Sequence, residues 1–321
     1  MNITLVVNAK KPDSCRYAES IRQYLEARDV QVKALYGEYT RDDFSDADAI
    51  ISIGGDGTML RLAGVLRGQD TPLLGVNAGH LGYLTQVSQA AQIPGALDRL
   101  LAHDYTRDVR AMLHGSVRRN GEVIRRGTAL NEILISRCEG ISVLRFTVLC
   151  DGEELSHYTA DGILFATPTG STAYNLSAGG PIAAPETRVI IMTPICAHST
   201  NSRPVILPDT SHIEVRIESE NEIVAFDGER IVRLQPGDVV KVRRANEMTT
   251  FVKLRASSFL ETLREPPSDF LYGQRHSHRG RRVALPGSCT PPRYPGRGRL
   301  ERSGHHPERR PALRRPSGWP R

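Results

Sequence analysis

Three clusters of small and polar residues in this 321-residue chain carry groups able to do chemistry. The first is Gly54-Gly55-Asp56-Gly57-Thr58, between the apolar run Ala49 to Ile53 and the helical pattern Met59 to Leu66. Three glycines in four positions let a backbone turn tightly and approach a ligand. The amides of such a loop, and of the helix start behind it, favour phosphate oxygens. An Asp inside a phosphate loop repels anions. It makes sense there as the acceptor of a proton from an attacking hydroxyl, or as a group that helps hold Mg2+. The alternative is a plain turn with Asp56 capping the helix. The loop is neither of the two commonest nucleotide loops: Gly-x-x-x-x-Gly-Lys-Ser/Thr is absent, and Asn8-Ala9-Lys10 stands where a Gly-x-Gly-x-x-Gly would follow the first strand.

The second cluster is Asn131-Glu132, just before an apolar strand. Neighbours on an extended segment point to opposite faces, and an amide with a carboxylate can grip ribose hydroxyls or an adenine edge. The third runs from Thr159 through Asp161, Thr167-Pro168-Thr169-Gly170-Ser171-Thr172-Ala173-Tyr174-Asn175-Leu176-Ser177 to Pro181. Its small hydroxyl residues around Gly170 allow close backbone approach with donors attached, and Tyr174 offers a flat face and a phenol. A Ser/Thr/Gly loop between strands is the alternative for any short piece of it.

The elements that must position these clusters fall into two kinds. Residues 1–106 alternate short apolar runs (Ile3 to Val7, Val30 to Val32, Ala49 to Ile53, Leu73 to Val76) with helical patterns such as Ala18 to Leu25. That rhythm predicts βαβ units around a mostly parallel sheet, an α/β domain. Residues 107–256 read as an all-β, sandwich-like domain. Asn120-Gly121 and Asp151-Gly152 are hairpin signals, and strand candidates fall at 133–135, 144–149, 163–166, 189–192, 213–217, 231–234 and 239–242. Residues 257–264 are expected to form a closing helix that packs back on the first domain. Residues 265–321, rich in Arg and Pro, are expected to be a disordered tail.

Charge follows the same division. Residues 275–321 hold 13 Arg and two acids, a net +11; the rest holds 29 basic and 34 acidic residues, a net −5. The overall +6 is therefore a property of the tail, and gives no ground for nucleic-acid binding by the folded part. Five Cys without a CxxC spacing argue against a disulfide framework and a structural zinc site. No apolar run approaches the ~20 residues that span a bilayer. A cytoplasmic protein without membrane attachment is expected.

Taken together and in this order, the three clusters resemble bacterial NAD kinases over about residues 2–264, through Gly54-Gly55-Asp56-Gly57-Thr58, Asn131-Glu132 and the Asp161-Gly162…Thr167-Pro168-Thr169-Gly170-Ser171-Thr172-Ala173-Tyr174 stretch. The resemblance implies a Rossmann-like α/β first domain and a β-sandwich-like second one, with ATP-dependent phosphorylation of the adenosine ribose 2′-hydroxyl of NAD in the cleft between them. It implies Asp56 as the proton acceptor, and Gly54, Gly55, Gly57 and Thr58 as the phosphate loop, with Gly57 also touching NAD. Asn131 and Glu132 would hold the ribose and adenine region. Asp161 would contact the dinucleotide, and Thr169, Thr172, Ala173, Tyr174, Asn175, Leu176 and Ser177 would line its pocket. Arg61 is a candidate phosphate contact, and Glu229, in Phe226-Asp227-Gly228-Glu229, stands where the family often has a polar binding side chain. Thr159 stands where some bacterial members carry Arg, which leaves the choice between NAD and NADH open. Mg2+ carried by ATP, and a homodimer or homotetramer, are implied; no residue set dedicated to a metal is, and polyphosphate stays open as donor. The loop alone is also similar to that of diacylglycerol and sphingosine kinases, so a lipid kinase is one rival and a non-catalytic dinucleotide-binding protein the other.

Overall fold

The computed structural model describes residues 1–77, 82–138, 143–198, 202–254 and 259–264. The expected tail, 265–321, and the first two residues of the expected closing helix lie outside them.

The first half runs β1 (Asn2–Val7), α1 (Pro12–Glu26), β2 (Gln31–Tyr36), β3 (Ala49–Ile53), α2 (Asp56–Leu66), β4 (Leu73–Val76) and α3 (Ile93–Leu101). All of β3 and β4 and the last five residues of β1 are buried, as parallel strands covered on both faces must be. The strands lie in the order β2-β1-β3-β4, each pair parallel. Alternate residues serve opposite faces. Leu5, Ile51 and Leu74 meet Ile21, Leu25, Leu97 and Leu100 of α1 and α3, while Val6, Ile50 and Leu73 meet Met59 and Leu62 of α2. The chain leaves β1 on one side and returns on the other, so the ends of β1 and β3 form the switch point where open α/β sheets hold ligands. The Gly-rich loop starts there, beside the Asn8 N–H that donates to the Ile53 carbonyl at 2.9 Å.

The second half continues with β5 (Thr106–Arg119), β6 (Glu122–Ala129), β7 (Glu132–Arg137), β8 (Leu144–Cys150), β9 (Glu153–Ala160), β10 (Gly162–Ala166), α4 (Tyr174–Ser177), β11 (Val189–Ile195), β12 (Val205–Pro208), β13 (Ile213–Ile217), β14 (Glu222–Phe226), β15 (Glu229–Arg233), β16 (Val239–Lys253) and α5 (Phe259–Arg264). Among the described residues a six-stranded antiparallel sheet, β12-β11-β10-β7-β14-β15, faces a second sheet across a core that includes Phe146, Phe165, Phe226, Ile133 and Val215. The two Asx-Gly hairpins have both turn residues at positive φ (50° and 83°; 52° and 90°), the geometry that matches strand twist.

One feature differs from the expectation of separate sheets. The second sandwich sheet is continuous with the parallel one. β16 pairs with β5 along its length, with β13 near its start, and in parallel with β4 at Phe251 opposite Leu73, making a single ten-stranded sheet. The strand expected at 239–242 runs on to Lys253 because Arg244 to Thr250, polar in composition, still buries Ala245, Thr249 and Thr250.

Candidate active site

The Gly-rich loop is held by short-range contacts. Gly55, not Asp56, is the N-cap of α2, so the plain capping role does not fall to Asp56. A Cβ on Gly54 would lie 2.4 Å from Thr58 Oγ1, whereas one on Gly57 would meet nothing within 4 Å; Gly57 is the exposed, approachable member. Asp56 reaches outward: its Oδ2 accepts the Tyr83 N–H at 2.8 Å and its Oδ1 the Leu84 N–H at 3.1 Å. These bonds fix the orientation of the carboxylate. Gly82 is required by this contact, since a Cβ there would fall 2.2 Å from Asp56 Oδ1. The Lys11 ammonium stands 3.3 Å from the Cβ position of Gly55 and donates to Asn77 Oδ1 at 3.4 Å. The sequence reading passed over this cation.

The facing wall is a knot of buried hydrogen bonds. The Thr167 hydroxyl donates to the Leu130 carbonyl at 2.6 Å and accepts the Gly170 N–H at 3.0 Å, while the Thr167 N–H donates to the Asn131 carbonyl at 2.9 Å. A Cβ on Gly170 would lie 2.1 Å from the Asn131 carbonyl oxygen. Only glycine lets the 169–172 turn sit on the Asn131 backbone, and this joins the second and third clusters. Arg110 on β5 grips Asp108 with two bonds of 2.6 Å and donates to Thr169 Oγ1 at 3.2 Å. One cavity is lined by Tyr83, Leu84, Arg110, Thr169, Thr172 and Phe251, so this turn shares a wall with the two residues whose amides hold Asp56. Leu130, Met59 and Leu62 share one core cluster, which fixes α2 against the clamp.

Charge in the site is organised by burial. Glu132 is 8% exposed and its Oε2 has no hydrogen-bond partner. Burial first, and the neighbouring Asp227 charge second, push its carboxyl up to about 8. It is therefore largely protonated at neutral pH, able to donate as well as accept. Burial also raises the Tyr174 phenol, with Cys196, Glu132 and Asp161 adding to the effect. Asp161 pairs with Arg137 at 3.1 Å. The neutral Thr159 does not leave this end without a cation: Arg137 on the adjoining strand β7 supplies one, by a sheet contact that sequence order conceals.

The remaining candidates divide. Arg61 and Glu229 meet at 3.7 Å, 48% and 54% exposed; such a pair is worth only about 0–1 kcal/mol, so an incoming phosphate can take the guanidinium. Ala173 and Leu176 are half-buried and Ser177 is exposed, all following the 169–172 turn. Asn175 does not present its amide to a ligand: fully buried, it donates to the Ser171 and Pro181 carbonyls and accepts the Thr193 hydroxyl. Its task is to hold the turn. Thr159 is exposed on β9, its carbonyl accepting the His198 N–H at 2.8 Å. Among the described residues no group of three or more His, Cys, Asp or Glu gathers as a metal cage, and no helix is long and apolar enough to cross a membrane.

Comparison with known proteins shows the family. The ATP-NAD kinase N-terminal domain family matches residues 36–105 and the ATP-NAD kinase C-terminal domain family residues 130–254. The chain is 37% identical to the NAD kinase of Moorella thermoacetica over 275 residues, 82% of this chain and 88% of that protein. It is 33% identical to that of Syntrophotalea carbinolica over 277 residues, covering 82% and 96%. Among solved structures it is similar to yeast NADH kinase complexed with NADH (TM-score 0.76, 26% identity, 83% and 87% covered). It is also similar to an NAD kinase from Archaeoglobus fulgidus in complex with ATP (TM-score 0.66, 26% identity, 79% and 94% covered). The lipid-kinase and non-catalytic readings left open by the loop give way to these matches. The chain belongs to the ATP-NAD kinase family, phosphotransferases that use ATP to phosphorylate the adenosine ribose 2′-hydroxyl of NAD.

Proposed function

We propose that the cleft between the 54–58 loop and the 130–132/167–174 clamp is where this chain makes NADP, with Asp56 as the base. The observation that carries the reading is that Tyr83 and Leu84, whose amides hold Asp56, line the same cavity as Thr169 and Thr172. Asn131 and Glu132 hold the ribose; Thr169, Thr172, Ala173 and Tyr174, with Leu176, Ser177 and Asp161, wall the dinucleotide. Gly54, Gly55, Gly57 and Thr58 receive the donor's phosphates, with Lys11, Arg61 and Glu229 at the margin. In the transfer, the bond from the 2′-oxygen to the γ-phosphorus forms as the γ-phosphorus to β–γ bridging oxygen bond breaks. The hydroxyl proton passes to Asp56, and ADP leaves.

The family works with a divalent cation, and the residues present fit Mg2+, which keeps several waters and binds through one or two carboxylates plus substrate phosphates. Asp56 is the one carboxylate of the Gly-rich loop. The ion, when bound, neutralises charge on the phosphates. We place the reaction in the cytoplasm, in a homodimer or homotetramer, with ATP as donor and polyphosphate as the alternative to assay. NADH is a second acceptor: the neutral Arg137–Asp161 pair gives no strong preference for a nicotinamide cation, and the structurally similar yeast enzyme is an NADH kinase. The test is purified protein with Mg2+, ATP and NAD, with NADP read by an NADP-specific dehydrogenase. Formation lost with EDTA and restored by Mg2+ is expected; activity unchanged by EDTA refutes the metal assignment.

A further inference from the structure

The tip of the β14–β15 hairpin holds a carboxylate outside the roles above. Asp227 and Gly228 both have positive φ (51° and 69°), a two-residue turn that puts the Asp227 side chain against the segment entering β7. Its Oδ2 accepts the Leu130 N–H at 2.8 Å, and its Oδ1 accepts the Asn131 N–H at 2.8 Å and the Glu132 N–H at 3.2 Å. Its own N–H donates to the Glu132 carbonyl at 3.0 Å. Three consecutive amides thus converge on one carboxylate, and those amides belong to the Asn131-Glu132 pair and the residue before it.

The hairpin is itself anchored. Phe226, fully buried, lies under Gly115 and Gly127, where a Cβ would come within 2.6 Å and 2.9 Å of its ring. On the other side of the turn, Glu229 reaches Arg61, one helical turn beyond Asp56.

We propose that Asp227 is a positioning residue for the phosphoryl acceptor: it touches no substrate, but holds the 130–132 turn so that Asn131 and Glu132 meet the ribose. This rests on the reading that those two residues contact the ribose. Charge supports it independently. Asp227 is, after burial, the second cause of the raised Glu132 carboxyl. Among the described residues, the other titratable groups on this side are the Tyr174 phenol from α4 and, beyond it, the Arg137–Asp161 pair and Cys196. Asp227 thus adds to burial in keeping Glu132 protonated and able to donate at neutral pH.

The experiment uses the full chain and three variants, with KM for NAD, KM for ATP and the pH dependence of kcat/KM for NAD. Hydrogen bonds to a charged group are strong enough that Asp227→Asn is expected to raise KM for NAD about tenfold. KM for ATP should move by less than about twofold, since a general loosening would move both. The fall in kcat/KM as Glu132 ionises, near pH 8 in the wild type, should move to lower pH in Asp227→Asn. It should vanish in Glu132→Gln. Should Asp227→Asn not fold, Asp227→Glu, which keeps the charge and displaces it by one methylene, is expected to raise KM for NAD with the pH limb in place. If Glu132→Gln changes neither KM for NAD nor the limb, the ribose reading fails. If Glu132→Gln changes them while both Asp227 variants leave KM for NAD as in the wild type, the positioning role is overturned.

Discussion

The two walls of the cleft are built by opposite means. The 54–58 wall is mostly backbone: Gly57 is exposed, and two amides of one adjoining turn hold Asp56. The 130–132/167–172 wall is a closed lattice, in which Thr167, Gly170, Asp227 and the Asn131 backbone each satisfy or exclude another. The open wall suits phosphates that arrive with their own hydrated cation and leave as a different species. The closed wall suits an acceptor hydroxyl whose position decides the rate, because a preset geometry lowers the entropy cost of reaching the transition state.

Asp56→Asn tests the open wall most severely. The change is nearly isosteric, so NAD binding should change only a few-fold, while loss of the base lowers turnover at least ~100-fold, about 2.7 kcal/mol of barrier. Steady-state kinetics with calorimetric NAD titration reads both; near-normal turnover would place the proton elsewhere. Asn131→Ala tests the closed wall and should do the reverse. NAD dissociation should rise about tenfold, the scale of a lost hydrogen bond, with a smaller effect on turnover at saturation. Equal losses in both constants would erase the contrast between the walls.

A third prediction concerns the root of the hairpin that supports the closed wall. Glu222 is 1% exposed; its Oε1 accepts the Ser219 hydroxyl, and its Oε2 has no partner. Burial, with the Glu218 charge adding to it, raises its carboxyl to about 7. The unfolded value is near 4.5, so the folded state binds the proton more tightly. Stability from this group is complete below about pH 4.5 and is lost as pH rises toward 7 and above. Glu222→Gln should therefore match the wild type in urea denaturation at low pH and exceed it at pH 8, by on the order of 2 kcal/mol. Parallel curves at both pH values would show that the carboxyl ionises freely. The smallest effect is expected at Arg137. Removing it leaves the Asp161 carboxylate unneutralised, which attracts a nicotinamide cation. Arg137→Gln should shift the NAD to NADH rate ratio toward NAD by a few-fold, about 1 kcal/mol. A constant ratio would mean that this pair does not face the nicotinamide.

The residues proposed to meet the acceptor and the phosphates were legible because each cluster is contiguous and unusual in composition. What supports them was not. Asp227 stands 95 or more positions from the amides it holds, Arg110 is 59 from Thr169, and Arg137 is 24 from Asp161; no local pattern marks such pairs. Asn175 misled in the other direction. It sits within the most distinctive stretch, yet its side chain is spent on the Ser171 and Pro181 carbonyls. The fold was readable where burial is two-sided, as in β3. It was hidden in β16, where half the strand is polar because one β strand serves two environments.

That shared strand also bears on how the chain is made. The parallel sheet's β4, paired with β3 on one edge and bridged to Val87 at Val76 on the other, gains its β16 partner at Leu73 only when Phe251 has been synthesised, some 175 residues after β4 itself. At about 5–20 residues per second, the ribosome leaves the Leu73 end of that sheet edge without β16 for roughly ten to thirty seconds, and an open edge is a template for pairing with other chains. The first half therefore completes its sheet only once β16 has been made. Heat or stress that lengthens this interval should therefore act on the nascent chain before it acts on the completed enzyme.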